Sequence, residues 1–530
     1  MTDKRPYQAD MLAAIASGFE SFSKQLCVSP TGSGKTNVFC WMIEAELQRG
    51  GRALVLVDQD ELVWQPAKRL KQLCDIVADI EKAEHHAKTD SKVVIASIQS
   101  MVRRLDKWNP ESFSLVIADE ADKSIANTWQ SCLKHFDGAA NVCGFTATAF
   151  RSDKRSLGEY YENIAYEISL QELIRQGYLS SIVIKQLPIV IDLSGVASRA
   201  GDYDANDLND AITPHLMEAA CAIRDHAMFR KVLVFVPLIA TSQKFVAICN
   251  SIGLAAEHID GTSEDRSEKL TRFQNGEFDV LVNSQLLLRG VDIPAVDCCV
   301  MLRPTKSVAL YQQAIGRGTR LSPGKSDLLI LDFLFDAQKK MVCRPAHLIA
   351  KTQEEADDIS AAITEENAKP MPASVGEQLT AFDLLGMQSI VQAQREKALR
   401  KKIEEHKDKK AKTISAEEFC VTHNRSDLAE FEPTMKWESE PVTEKQAKYL
   451  KQAGIDLASV SGKGHATKLL NIHFSEKKLV LASPKAIAMM RNMPHICKAA
   501  GIESLDNVTQ GQQRKFFAAL NNNKKQMDQQ

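Results

Sequence analysis

The chain has 530 residues, more than one hydrophobic core normally supports, so several domains are expected. Its 44% hydrophobic and 25% charged residues are those of an ordinary soluble globular protein. The net charge of -2 excludes recognition of a polyanion by the molecule as a whole, so a nucleic-acid partner would have to be met by local basic surface. No apolar run approaches the roughly 18 residues of a membrane span. The opening Met1-Thr-Asp-Lys-Arg-Pro-Tyr-Gln8 lacks the apolar stretch of a signal peptide, which predicts a cytoplasmic protein. Twelve scattered cysteines without a Cys-x-x-Cys pair predict reduced, mostly buried thiols and no metal cluster.

Short β-branched runs alternate with helical stretches through the first two-thirds of the chain, as in parallel α/β units. Strands are predicted at residues 25–29, 53–57, 93–97, 115–118 and 142–145, then at 182–184, 232–236, 280–283, 298–302 and 328–331. Such continuous apolar strands suit sheets covered on both faces. The polar, glycine-containing stretch 193–210 reads as an irregular excursion. Two parallel sheets joined near residue 160 are expected, one lobe over residues 1–158 and a second over 159–337.

Residues 338–435 read as a charged helical linker, acidic at Glu354, Glu355, Asp357 and Asp358 and basic from Arg395 to Lys412. The basic part suits a solvated helix with i,i+4 charge pairs better than a phosphate-contacting arm. A small helical domain over 436–530 follows, in which Thr443 looks like an N-cap and Gly454 a C-cap, and Ser483-Pro484 repeats that start.

Ser29-Pro-Thr-Gly-Ser-Gly-Lys-Thr36 lies between a predicted strand and a helix predicted over 37–49, the context that a phosphate-binding loop requires. Gly32 and Gly34, set among Thr31 and Ser33, let backbone N–H groups approach phosphate oxygens, and the helix N-terminus adds its positive dipole end. Lys35 would neutralise the β- and γ-phosphates of ATP, and the Thr36 hydroxyl would ligate Mg²⁺. Asp119-Glu-Ala-Asp122 follows an apolar strand, where a carboxylate can face that metal. Asp119 would hold the Mg²⁺ shell, and Glu120 would orient or deprotonate the attacking water. Gln312-Gln-Ala-Ile-Gly-Arg-Gly-Thr-Arg320 supplies Arg317 and Arg320, three apart on a predicted helix start and so on one face. Closure of two lobes on one ATP would bring both arginines to the γ-phosphate.

In order, these segments resemble the motifs of superfamily 2 helicases. Arg5-Pro-Tyr-Gln8 resembles the adenine-reading segment, with Gln8 the base contact. Ser29 to Thr36 resembles motif I, although the common pattern begins with Gly where Ser29 stands. Val57-Asp-Gln-Asp-Glu-Leu62 resembles motif Ia, with Asp58 where relatives commonly have an uncharged residue. Ala96-Ser-Ile-Gln99 resembles motif Ib, Asp119 to Asp122 motif II and Thr146-Ala-Thr148 motif III. Val234-Phe-Val-Pro237 resembles motif IV, Asn283-Ser-Gln-Leu-Leu-Leu-Arg-Gly-Val-Asp292 motif V and Gln312 to Arg320 motif VI. The likeness is greatest to bacterial and phage helicases akin to the XPB-like and restriction-enzyme motors.

The resemblance implies two RecA-like lobes, a helical linker and a small helical C-terminal domain. It implies ATP and Mg²⁺ as cofactors, with Gly290 and Asp292 added to the nucleotide site. Ser97, Gln99, Thr146, Thr148, Asn283 and Ser284 would serve nucleic-acid contact and coupling. The expected enzyme is an ATP-dependent DNA helicase, with a duplex translocase that does not separate strands, or an RNA helicase, as alternatives. DNA is favoured over RNA because motif III reads Thr-Ala-Thr and motif VI opens Gln312-Gln313, as in DNA-directed relatives. A protein partner could dock through the C-terminal domain. His85-His86 reads as a solvated pair, and Gly462-Lys-Gly-His465 as a basic turn in preference to a phosphate cradle.

Overall fold

The structure is a computed structural model describing residues 4–58, 63–147, 157–199, 201–260, 265–284, 295–336, 342–350, 353–367, 381–406, 414–423, 425, 428–429 and 431–479. By internal contacts the chain divides into residues 1–394 and 395–530.

Among its described residues the first unit holds two seven-stranded sheets and one two-stranded hairpin. In the first, β1 (Lys24–Val28), β2 (Ala53–Val57), β3 (Asp79–Glu81), β4 (Val93–Ser97), β5 (Leu115–Asp119), β6 (Asn141–Thr146) and β7 (Asn163–Glu167) lie in the order β3-β4-β2-β5-β6-β1-β7. Every pairing in it is parallel. Because β6 separates β1 from β5, the segments leaving β1 and β5 emerge one strand apart at the carboxyl edge, where open α/β sheets place ligands. Helix Lys35–Gln48 is fastened over this edge by Phe39, whose ring meets Phe145 of β6 edge-on at 5.9 Å. Burying one such ring contributes about 2–3 kcal/mol.

The second sheet contains β8 (Ser181–Asp192), β11 (Val232–Phe235), β12 (Ala256–Ile259), β13 (Val280–Asn283), β14 (Cys298–Met301), β15 (Asp327–Asp336) and β16 (Ala381–Asp383) in the order β12-β13-β11-β14-β15-β8-β16. It is parallel except for the antiparallel edge strand β16. Its central strands are buried on both sides. Cys298 and Cys299 of β14 enter the two different cores that flank the sheet, as side-chain alternation requires. Strand β8 is far longer than the predicted 182–184, and it passes Pro188 because the register slips between Leu187 and Val190 against β15. A proline without an N–H is tolerated at such a bulge.

Three boundaries differ from the sequence expectation. Strand β7 pairs with β1, so the first sheet runs beyond residue 158. The stretch expected to be an irregular excursion contains the hairpin β9 (Ser198–Arg199) and β10 (Asp202–Tyr203) and a helix, Ala205–Ile212, capped by Asp204. Asp202 anchors that hairpin by accepting from Thr305 Oγ1 and Lys306 N, each at 2.8 Å. The charged stretch beginning at 338 is not a free linker throughout. Ile359 and Ile363 of helix Gln353–Asn367, with Leu384, Met387 and Val391, belong to the core of the second lobe. Acidic residues mask this face in the sequence, yet Glu355 is itself buried and accepts from Gln388 Nε2 at 3.0 Å.

The second unit is described to residue 479. Its core starts well before 436, with Ala416, Phe419 and Cys420 packing against Leu450, Ile455 and Leu469. Thr443 caps helix Glu444–Gln452 reciprocally with Gln446, and Gly454 takes the left-handed conformation beyond its end. Gly462 and Gly464 are explained by close packing. A Cβ at either would come within 2.6 Å or 2.4 Å of Glu438. The Ser483-Pro484 repeat lies outside the described residues. Among the described residues no helix is long and apolar enough to cross a membrane.

Candidate nucleotide-binding site

The loop leaving β1 turns through left-handed backbone at Gly32 (φ 87°) and Gly34 (φ 81°), and helix Lys35–Gln48 starts directly from it. Side chains rarely tolerate that conformation. Space is limiting too, since a Cβ on Gly34 would lie 2.6 Å from Gln8 Nε2. Lys35 Nζ folds over the loop and donates to Ser29 O at 3.0 Å and Pro30 O at 3.4 Å. Burial lowers the Lys35 pKa, opposed by the charges of Glu120 and Asp119. Ser29, the departure at the first motif position, is buried and accepts a hydrogen bond from Ser33 Oγ at 3.0 Å. Thr36 occupies the first turn of the helix, half-buried.

Gln8 sits in the first turn of helix Pro6–Gly18 and braces the loop. Its Nε2 donates to Ser33 O at 3.0 Å, while its Oε1 accepts from Arg5 N at 3.1 Å. Tyr7, which sequence reasoning passed over, donates from its hydroxyl to the same Ser33 carbonyl at 2.6 Å. Its ring packs against Tyr178, 4.9 Å between centroids, and the Arg5 guanidinium lies over Tyr178 at 5.4 Å. The neighbouring Arg5-Pro-Tyr-Gln8 letters were the available signal for Tyr7.

Strand β5 ends at Asp119, and Glu120 turns the chain in left-handed backbone (φ 59°, ψ 50°). For a residue with a Cβ this costs about 1–2 kcal/mol, and strain of this kind gathers at functional sites. The turn carries the Glu120 carboxylate to the other lobe, where Oε2 accepts from Gln313 Nε2 at 2.8 Å. Burial, then the adjacent Glu120 charge, raises the Asp119 pKa, with Lys35 opposing.

The arginine segment corrects an expectation. Arg317 and Arg320 do not open a helix and do not share a helical face. Helix Val308–Ile315 ends ahead of them, and both occupy the turn beyond it. Two glycines break the helix, and Gly318 packs too tightly on Leu328 and Cys299 to admit a side chain. Arg317 is buried in the second lobe beside Cys299, on whose thiol its charge acts. Arg320 faces the first lobe, and its Cγ lies 3.3 Å from where a Gly32 Cβ would stand. Its charge reaches Lys35. Gly316 is similarly close to the loop, for a Cβ there would lie 2.8 Å from Thr31 Cβ.

The other candidates divide. Ser97 is buried and caps helix Ile98–Arg103 by accepting from Ser100 N. Gln99 is exposed and donates to Asp58 O at 2.6 Å, and the Asp58 carboxylate pairs with Lys123 just after motif II. Thr146 is buried at the end of β6, its carbonyl accepting from Ser29 N at 2.9 Å. Asn283 and Ser284 are buried at the end of β13. Thr148, Gly290 and Asp292 lie outside the described residues.

Comparison with known proteins matches residues 2–151 to the type III restriction enzyme res subunit and residues 215–322 to the helicase conserved C-terminal domain. The putative ATP-dependent helicase IRC3 of Saccharomyces cerevisiae is 32% identical over 366 residues, 65% of this chain and 53% of that one. In both matched segments the chain is similar to superfamily 2 helicases. It spans about half the length of that yeast relative. A fragment of a putative HsdR subunit of a type I restriction enzyme from Vibrio vulnificus YJ016 shares the fold, with a TM-score of 0.50 and 22% identity over 62% of this chain and 64% of that one. The ATP-dependent type ISP restriction-modification enzyme LlaBIII bound to DNA aligns with 98% of this chain and 40% of its own, with a TM-score of 0.52 and 12% identity. RNA helicases are among the more distant relatives. Both lobes are α/β units built on largely parallel sheets, consistent with RecA-like lobes.

Proposed function

We propose that the chain hydrolyses ATP between its two lobes and uses the cycle to move along and separate nucleic-acid strands, with DNA as the substrate. The observation that carries this reading is the 2.8 Å hydrogen bond from Gln313 to Glu120, which ties the two lobes at the residue placed to activate water. Lys35 meets the β- and γ-phosphates, and the loop amides from Thr31 to Thr36 cradle them. Glu120 orients the attacking water and takes its proton. Arg320 stabilises the charge that builds on the transferring phosphoryl group, and Arg317 supports it from behind. Gln8 and Tyr7 hold the loop through Ser33, so a base contact made by Gln8 would be transmitted to the phosphate cradle.

The donor set fits Mg²⁺. Thr36 and Asp119 supply hard oxygen ligands, and burial, then the adjacent Glu120 charge, raises the Asp119 pKa, so that a cation beside it would be favoured. When bound, the ion would neutralise phosphate charge beside these residues. The same shift predicts a pH effect. A raised Asp119 pKa means that its carboxylate is lost as pH falls through that value, so kcat/KM for ATP drops on the acid side. Higher Mg²⁺ is expected to move this limb to lower pH, because metal and proton compete for one carboxylate. A limb indifferent to Mg²⁺ in steady-state assays would remove Asp119 from the metal shell.

Preference for DNA rests on the Thr-Ala-Thr of motif III and on Gln312-Gln313 of motif VI. Motif II faces metal and water, so the letters Asp-Glu-Ala-Asp carry little substrate information. Exposed Lys445, Lys448 and Lys451 on helix Glu444–Gln452 would add phosphate contacts from the second unit. The test is ATP-dependent strand displacement on matched DNA and RNA duplexes with single-stranded tails. Displacement of the DNA duplex is expected. Faster displacement of RNA would reverse the assignment, and ATP-driven movement without displacement of either would favour a duplex translocase.

A further inference from the structure

Lys325 belongs to none of the motifs above. It lies in the turn between the arginine segment and β15, and its side chain points inward. Its Nζ donates to three backbone carbonyls: Val296 O at 2.6 Å, Arg320 O at 2.9 Å, and Gly318 O. An ammonium group has three protons, so its donors are fully committed to main chain. Two of those carbonyls belong to the turn that carries Arg317 and Arg320. The third follows the segment that resembles motif V and precedes β14. Lysine heads normally reach for water, and turning one inward to satisfy carbonyls beyond a helix end provides partners that the helix cannot. Burial pushes the Lys325 pKa down to about 8, opposed by Cys299, Asp297 and Asp327 and assisted by Arg230.

We propose that Lys325 is a positioning residue for ATP hydrolysis, fixing the backbone of residues 318–320 against Val296 so that Arg320 meets the nucleotide already oriented. The inference rests on the hydrolytic reading of the cleft. Arg320 itself has a flexible side chain, so the accuracy of its approach is set by the main chain from which it springs. That main chain lies past the last helical turn, and its two glycines have no side chains of their own to pin it. The Lys325 ammonium restrains it through the Gly318 and Arg320 carbonyls, beside the Thr319 carbonyl that accepts from Ser180 N at 2.7 Å. A displacement of about 1 Å at a catalytic group costs on the order of 100-fold in rate, so a tether of this kind has a kinetic consequence even when the fold survives its loss.

The experiment compares the full chain with Lys325→Met and Lys325→Arg in steady-state ATP hydrolysis with saturating DNA, alongside thermal unfolding. Lys325→Met is expected to lower kcat about 10- to 100-fold while KM for ATP changes less than about twofold. Lys325→Arg is expected to restore most of kcat, since a guanidinium keeps charge and donors. In the unmodified chain kcat is expected to fall as pH rises through about 8, where the Lys325 ammonium loses its proton, and this fall should be absent in Lys325→Arg. Of its surroundings, Asp297 and Asp327 are carboxylates, and burial pushes the Cys299 thiol up to about 12. Unchanged kcat in Lys325→Met would overturn the inference. So would a fall in kcat matched by a fall in Tm and not rescued by arginine, which would make the residue a folding tie alone. An unmodified chain without ATP turnover would instead overturn the hydrolytic reading beneath it.

Discussion

Glu120→Gln is expected to reduce kcat for ATP hydrolysis about 1,000-fold while leaving ATP binding intact. The substitution conserves shape, and the amide retains an oxygen that can accept from Gln313 Nε2, so the contact between the lobes survives. What it removes is a group that can take a proton from water. The left-handed backbone at this position is unaffected, because glutamine and glutamate carry the same Cβ. The variant should therefore accumulate closed, with ATP and nucleic acid bound. Lys35→Ala fails by a different route. It removes the charge that faces the phosphates, so nucleotide affinity falls with turnover. Nucleotide binding and turnover measured side by side separate the two. Near-normal hydrolysis by Glu120→Gln would remove Glu120 from the chemistry.

Arg320→Ala is expected to lower kcat by about 1,000-fold, equivalent to ~4 kcal/mol of transition-state stabilisation. The effect should fall on kcat with little change in ATP affinity, because charge on the transferring group peaks in the transition state. The placement of Arg320 over Gly32, with its charge felt at Lys35, is what distinguishes it from Arg317, which is buried beside Cys299. Arg317→Ala is accordingly a mixed case in which packing and rate both suffer. Kinetics of Arg320→Ala in which KM rises and kcat holds would make Arg320 a ground-state contact.

The inner strands β2, β11 and β14 were readable because each is buried and apolar along its whole length. Apart from the short β9–β10 hairpin, the strands that escaped prediction are the four edges of the two large sheets, β3, β7, β12 and β16. Each has one neighbour and carries polar residues: Asp-Ile-Glu in β3, Asn-Ile-Ala-Tyr-Glu in β7, Ala-Glu-His-Ile in β12 and Ala-Phe-Asp in β16. Edges are meant to be polar, and that erases the periodic signal. The glycine loop and Asp119-Glu120 were legible because their chemistry is local to a strand end. The contacts that join the lobes were not. Gln313 reaches Glu120 across a sequence separation of 193, Gly316 abuts Thr31 from the other lobe, and no local pattern announces such pairs. The arginine segment misled for a related reason. Its spacing of three fits a helix, but Gly316 and Gly318 end the helix first. Lys325 carried no signal, since its partners are backbone carbonyls, which every residue has.

The most direct test of a two-lobed site coupled to nucleic acid is ATP hydrolysis by the unmodified chain, titrated with single-stranded DNA in the presence of Mg²⁺. Slow turnover alone, rising to a saturating rate as DNA is added, is the predicted result, because a strand bridging both lobes favours the closure that joins Glu120 and Arg320 on one nucleotide. Turnover that ignores DNA and RNA at every concentration, or no turnover with either, would contradict the account.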